Sequence, residues 1–294
     1  MPLIEISHLT KDFADVRAVD DLSFAIEPGT ITGFLGPNGS GKTTTMRALL
    51  GLLAPTMGTA TIAGRPYRRL DDPLRQVGVL LEAAAHPARG AHDHLRVLAA
   101  EARVPSSRVR EVLDLVELRA AADRRVGGFS LGMRQRLGLA GALLGDPPIL
   151  VLDEPANGLD PEGIRWMRDF MRALRGEGRT ILLSSHVLAE VAQVADDVVL
   201  IHRGRLVLHT PLSRLVESRR VRLSSPDAGA LAVVLRAGGF EVSEDAQEAL
   251  TVTGTSARAI AEIAFDNRLV VHEIAAEASS LEEVFFDLTE ESRP

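Results

Sequence analysis

The chain is 294 residues long, 46 % apolar and 25 % charged, which suits one large domain or a large and a small one and excludes wholesale disorder. Its 33 Lys and Arg face 40 Asp and Glu, and the formal net charge of −7 argues against gripping nucleic acid as the main task. The absence of cysteine excludes disulfides, thiolate catalysis and Cys-based metal sites. The opening MPLIEISHLTKDF lacks the basic-then-apolar pattern of a signal peptide, and no run reaches the roughly 18–20 apolar residues that cross a bilayer. A soluble, cytoplasmic protein is expected, with any membrane role coming through a partner.

Apolar runs at residues 3–7, 18–26 and 29–34 predict strands, with Pro28 and Gly29 turning the chain into the third. A glycine-rich loop follows, then a helix over about 42–53 ended by Pro55 and Gly58, an edge strand at 59–63 and a strand within 73–81. Between about 83 and 145 the apolar spacing becomes helical, at 94–102, 107–118 and 131–144, which predicts a helical insertion. Alternation then resumes: strand 149–152, helix 161–175, strand 180–183, helix 187–195, strands 198–202 and 206–209. This order predicts a largely parallel sheet with helices on both faces, an α/β fold. Beyond about Val216 the order βαββαβ, followed by a terminal helix near 281–288, predicts a small ferredoxin-like α+β domain. The expected division is 1–215, with a helical subdomain at about 83–145, and 216–294.

Residues Gly36-Pro37-Asn38-Gly39-Ser40-Gly41-Lys42-Thr43-Thr44 match G-x-x-x-x-G-K-[ST] between a predicted strand and a predicted helix. The glycines let successive N–H groups face inward and cradle the β- and γ-phosphates of a nucleotide, and the helix N-terminus adds its positive end. Lys42 supplies a point charge and Thr43 a hydroxyl for Mg²⁺. Only Lys11 and Lys42 among the basic residues are lysine, and a guanidinium is too broad to replace an ammonium in such a loop. The strand 149–152 ends in Asp153-Glu154, at the edge of a parallel sheet where ligands bind. Asp153 is placed to hold Mg²⁺ through its water shell and Glu154 to polarise the attacking water. The next strand ends in Ser184-Ser185-His186, so His186 is placed to reach the γ-phosphate or that water. His92 and His94 are expected on an exposed loop, with no metal site there.

Phe129-Ser130-Leu131-Gly132-Met133-Arg134-Gln135-Arg136 resembles the signature of the ATP-binding cassette (ABC) family, LSGGQ followed by a basic, Gln-containing helix. The residues agree, since Ser130 is a good N-cap that leaves N–H donors aimed at an anion. Leu131 stands in place of the first signature glycine and Met133 in place of the glutamine. The variant is similar to that of the daunorubicin- and bacitracin-resistance group of exporter ATPases, as is the tail 280–289. The resemblance implies a P-loop ABC cassette with an antiparallel β subdomain and a helical insertion. It also implies that Ser130, Leu131, Gly132 and Met133 bind the ATP of the opposite subunit, that Phe13 stacks on adenine, and that Asp160 lies on the loop crossing the dimer interface. Glu82 stands where the family has the glutamine that approaches Mg²⁺. A head-to-tail homodimer closing over two ATP–Mg²⁺ is implied, driving integral membrane subunits from the inner face of the membrane, with residues 84–103 as their contact and export of a hydrophobic drug, antibiotic or lipid-like compound as the task. A soluble ABC switch without a membrane partner, and a different P-loop enzyme such as a kinase, remain as alternatives.

Overall fold

A computed structural model describes residues 2–81, 85–216, 219–245 and 249–278. In chain order the elements are β1 (Ile4–Phe13), β2 (Val16–Ile26), β3 (Ile31–Leu35), α1 (Lys42–Leu49), β4 (Met57–Ile62), α2 (Pro73–Gln76), β5 (Val77–Leu80), α3 (Ala91–Glu101), α4 (Ser107–Leu115) and α5 (Leu131–Ala142). There follow β6 (Ile149–Leu152), α6 (Pro161–Gly176), β7 (Thr180–Ser185), α7 (Leu188–Val191), β8 (Asp197–His202), β9 (Arg205–Pro211) and α8 (Leu212–Val216). The last six are β10 (Arg219–Ser224), α9 (Ala228–Ala237), β11 (Glu241–Asp245), β12 (Ala249–Thr253), α10 (Ala257–Asp266) and β13 (Glu273–Ala278). Glu82 and the tail 280–289, with its expected helix, lie outside the described residues.

The chain divides into two compact units, Met1–His209 and Thr210–Pro294. The division falls ahead of the expected 215/216 because α8 groups with the second unit rather than continuing the first.

In the first unit a three-stranded sheet of order β2-β1-β4 is antiparallel throughout, and a six-stranded sheet has the order β5-β6-β7-β3-β8-β9. The β5–β6, β6–β7, β7–β3 and β3–β8 pairs are parallel. All five residues of β3 and all four of β6 are buried, as expected of strands covered on both faces. One apolar cluster joins the two sheets: Ile4, Leu22 and Phe24 from the first meet Phe34, Val151, Leu182 and Val199 from the second, with Met46 and Leu49 of α1 between them. Phe24 and Phe34 touch ring to ring, centroids 5.3 Å apart. The helical segment 91–142 forms α3, α4 and α5. His92 and His94 sit in the first turns of α3, partly buried, and not on an exposed loop. The helix starts earlier than the apolar spacing indicated because Gly90 supplies the N-cap and Asp93 places an acid in the positive first turn. At the other end, α7 covers 188–191 where 187–195 was expected.

The second unit is a four-stranded antiparallel sheet of order β11-β12-β10-β13 with α9 and α10, the ferredoxin-like order. Its core is its own, built from Val221, Leu223, Leu231, Leu235, Leu250, Val252 and Ile260.

Because Phe34 is fully buried at the meeting of the two sheets, Phe34→Ala should cost about 3–5 kcal/mol of stability. Urea unfolding should show a lower midpoint at an unchanged slope.

Candidate functional site

The glycine-rich loop leaves the C-terminal end of β3, and its path requires glycine at position 41. Gly41 has φ +107°, and a Cβ there would stand 2.5 Å from the Ala18 carbonyl oxygen, so no other residue lets the loop lie against β2. Immediately after it α1 begins, leaving its first N–H groups without intrahelical partners. Lys42 is buried and folds its ammonium back onto the loop, donating to the Gly36 carbonyl at 2.7 Å and the Pro37 carbonyl at 3.3 Å. The same Nζ lies 3.5 Å from Glu154 Oε1. That oxygen is buried and accepts no hydrogen bond, so the lysine attracts it as a charge across a gap. Ser40 Oγ is likewise buried without a partner. Ser40 and Glu154 are among the residues lining a cleft of about 370 Å³, with Phe13, Ala18 and the rest of residues 38–44. Buried polar groups left unpaired in a cleft mark a place for a polar ligand.

Strand register brings the remaining groups to this cleft. In the parallel ladder Leu35 pairs with Ser185 and Leu152 with Leu183, so Asp153, one step beyond β6, comes level with Ser184. Thr43 Oγ1 donates to Asp153 Oδ2 at 2.7 Å, and the Ser184 hydroxyl donates to Asp153 Oδ1 from the other side. Ser184 also accepts from the Glu154 backbone N–H at 2.9 Å. Glu154 itself is held in the left-handed region at φ +48°, a strained conformation that the Ser184 contact helps to secure. His186 Nδ1 lies 2.8 Å from Glu154 Oε2. An ionised carboxylate only accepts, so Nδ1 carries the proton it shares with Oε2. Burial pushes the nearby Glu190 carboxyl up from its ordinary value, with His186 opposing the shift and Glu154 adding to it.

Residues 38–44, Phe13 and Glu154 thus line one cleft, with Asp153 joined to it through Thr43 and His186 through Glu154. Phe13 is partly exposed there, with Lys11 Nζ 5.0 Å from its ring centroid. Ser130, Leu131, Gly132, Met133 and Asp160 do not line this cleft. Ser130 caps α5, its hydroxyl accepting from Met133 N–H at 3.2 Å, and Asp160 caps α6, accepting from Gly163 N–H at 2.7 Å ahead of Pro161. Ser184 escaped the sequence reading as a working residue. Its signal was a hydroxyl at the wholly buried end of an apolar strand, where it must find partners.

The Thr43 hydroxyl and the Asp153 carboxylate are hard oxygen donors side by side. They fit Mg²⁺, which is typically held through one or two carboxylates, waters and substrate phosphates and not by a protein cage. Among the described residues no group of three or more His, Cys, Asp or Glu offers such a cage.

Comparison with known proteins gives the following likenesses. A family profile described as ABC transporter matches residues 19–157, and one described as a domain of unknown function matches 219–282. The bacitracin transport ATP-binding protein BcrA of Bacillus licheniformis is 41 % identical over 222 residues, covering 74 % of this chain and 72 % of its own. An uncharacterized ABC transporter ATP-binding protein, YcbN of Bacillus subtilis (strain 168), is 33 % identical over 296 residues, 97 % of this chain and 96 % of its own. Among solved structures, an ATP-binding subunit of an ABC transporter is similar with a TM-score of 0.66 at 27 % identity, covering 72 % of this chain and 91 % of the other.

Removing the Ser184 hydroxyl leaves Asp153 with one supporting donor and frees the Glu154 N–H. Ser184→Ala is expected to lower Mg²⁺-dependent ATP turnover by about 10–100-fold, the range for such supporting groups. Nucleotide affinity measured without Mg²⁺ should stay unchanged.

Proposed function

The chain belongs to the ABC transporter family and hydrolyses ATP, and we propose that it powers export of a hydrophobic drug, antibiotic or lipid-like compound through separate membrane subunits. The observation that carries the catalytic part is the unbroken chain of contacts Thr43–Asp153–Ser184–Glu154–His186 beside the buried Lys42. In this proposal the loop N–H groups and the Lys42 ammonium hold the β- and γ-phosphates, and the Phe13 ring stacks on adenine. Thr43 and Asp153 hold Mg²⁺, which when bound neutralises charge on the phosphate oxygens. Glu154 Oε1, which accepts no hydrogen bond, takes a proton from the attacking water. His186 donates from Nδ1 to Oε2, fixing the carboxylate and leaving Nε2 for the γ-phosphate or the water.

The signature residues lie away from the cleft of their own chain, which favours a head-to-tail homodimer in which Ser130 and the N–H groups of residues 131 and 132 meet the partner's γ-phosphate, the Met133 N–H being engaged by the Ser130 hydroxyl. Backbone donation is indifferent to leucine at 131 and methionine at 133, whereas a side-chain contact from a glutamine at 133 is lost. A dimeric cassette bound to ADP and Pi, 22 % identical with a TM-score of 0.65, shares the fold. No helix of the described residues is long and apolar enough to cross a membrane, so in this proposal the subunit sits on the inner face through its partners. In this proposal their contact is the segment 84–103, whose His94 and Leu98 line a groove of about 200 Å³ together with Leu74, Val79 and Leu137. Burial and the charge of Arg89 hold the His94 imidazole below its ordinary pKa, so it meets a partner as the neutral ring at pH 7.

Glu154→Gln should lower turnover by about 10²–10⁴-fold while keeping ATP bound, and ATP–Mg²⁺ should shift it to a dimer in size-exclusion chromatography. Retained turnover would remove Glu154 as the base. Capture of that tagged variant from detergent-solubilised membranes should bring down a multi-spanning protein in near one-to-one ratio; only soluble partners would sink the transporter reading. Finally, a mixture of Ser130→Ala and Lys42→Ala chains should regain turnover that neither shows alone, because each mixed dimer contains one intact shared site.

A further inference from the structure

Leucine at position 131 is the oddest residue of the signature segment: a large apolar side chain, half exposed, at the first turn of α5. Its surroundings explain it. Leu131 lies in a notch over Gly158 of the loop 156–160, where a Cβ on Gly158 would stand 2.2 Å from Leu131 Cδ2. Gly158 has φ +72°, so the loop turns there in a conformation that favours glycine. One residue along each segment the fit is repeated in reverse: a Cβ on Gly132 would stand 3.4 Å from Leu159 Cδ2. That second contact is an ordinary van der Waals one, so the close fit is the Leu131–Gly158 pair. A further contact ties α5 to α6, the helix that follows this loop. The Arg136 guanidinium of α5 lies 4.0 Å from the ring centroid of Trp166 of α6, and Trp166 stacks on Phe170 with centroids 5.0 Å apart. Arg136 is also paired with Glu117 at 2.6 Å, which fixes its plane.

We propose that Leu131 is a positioning residue that keys the start of the signature helix into the interface loop of the same chain, so that the Ser130 hydroxyl and the α5 N–H donors meet the partner's ATP, with Asp160 beside them on the interface, as one preassembled face. The inference rests on the reading above that the signature serves the partner's site. Its physical logic is steric. A Cβ at 158 would overlap the terminal methyl of Leu131, so this half-exposed leucine keeps its place over the loop only while position 158 lacks a side chain. Donors preset toward a phosphate gain most when they do not reorganise on binding, and a displacement of about 1 Å can cost 10²-fold in rate. Leucine in place of glycine in the signature is thus matched by glycine in the loop facing it.

The test is a double-mutant cycle on the full chain with Leu131→Ala, Gly158→Ala and the double variant. Gly158→Ala alone is expected to lower kcat by about tenfold or more, since its methyl displaces the Leu131 side chain that keys the helix start to the loop. In the Leu131→Ala background the same change should cost no more than about threefold, because only backbone strain at φ +72° remains and that term is common to both arms. Leu131→Ala alone should lower kcat while leaving the affinity of the dilute chain for an ATP analogue and the Tm near wild type. Leu131→Met, which refills the notch, should recover kcat. If Gly158→Ala does not fold, the comparison of Leu131→Ala with Leu131→Met decides the matter by itself. Additive effects on kcat, coupling in Tm alone, or equal rates for the alanine and methionine variants would overturn the proposal. Failure of the underlying reading is separate: it would show as normal turnover of Ser130→Ala run in the same assay.

Discussion

The Asp153 carboxylate, gripped from opposite sides by two hydroxyls, is the constraint from which the geometry of the site follows. Thr43 approaches from the start of α1 and Ser184 from the end of β7, while Asp153 directly follows β6. A carboxylate this deeply buried must be matched by donors, and these two can reach it only if β6, β7 and β3 keep their parallel register. A slip of one residue between β6 and β7 would turn Ser184 to the other face and leave the acid unpaired. The apolar filling of β3 and β6 therefore has a polar consequence at their C-terminal ends.

The distribution of charge sharpens the same site. Arginine supplies nearly all the positive charge of the chain, and much of it is spent in exposed pairs such as Arg17 with Asp12 and Asp20, and Arg179 with Asp146. Arg205 and Arg17 hold the Asp20 carboxyl below its ordinary pKa, and Arg179, followed by Arg108, does the same for Asp146. Exposed pairs of this kind add little to stability. Lys42 is different: buried, compact, bound to two loop carbonyls, and facing a Glu154 oxygen that accepts no hydrogen bond. A cation and an anion held 3.5 Å apart beside an open cleft are poised to be separated by a ligand that satisfies both.

The elements proposed to serve a partner's nucleotide show a different economy. Ser130 and Asp160 each spend a side-chain oxygen on capping their own helix, which fixes where α5 and α6 begin. The leucine–glycine interlock and the Arg136–Trp166 stack then relate those two beginnings to each other. Local capping sets each start, and packing sets their relation.

The phosphate loop, the acidic strand end, His186 and the Ser130 cap were legible in the sequence because each depends on a few consecutive residues whose chemistry is local, whereas the capping of α6 by Asp160 came only with the structure. The parallel order and the βαββαβ order of the second unit were legible too, since alternation of period 2 and 3.6 survives without knowledge of contacts. Short elements were less so: α7 is only Leu188–Val191, and His92 and His94 fall inside α3, because N-cap and fraying effects of one turn are not carried by apolar spacing. What the sequence by itself determined is which groups a nucleotide site could be made from. Only the tertiary structure decided that Ser184 bridges Asp153 and Glu154, that Lys42 faces Glu154, and that Leu131 lies over Gly158. These contacts join residues 27 to 112 positions apart, at distances set by strand register and close packing, which no local pattern encodes.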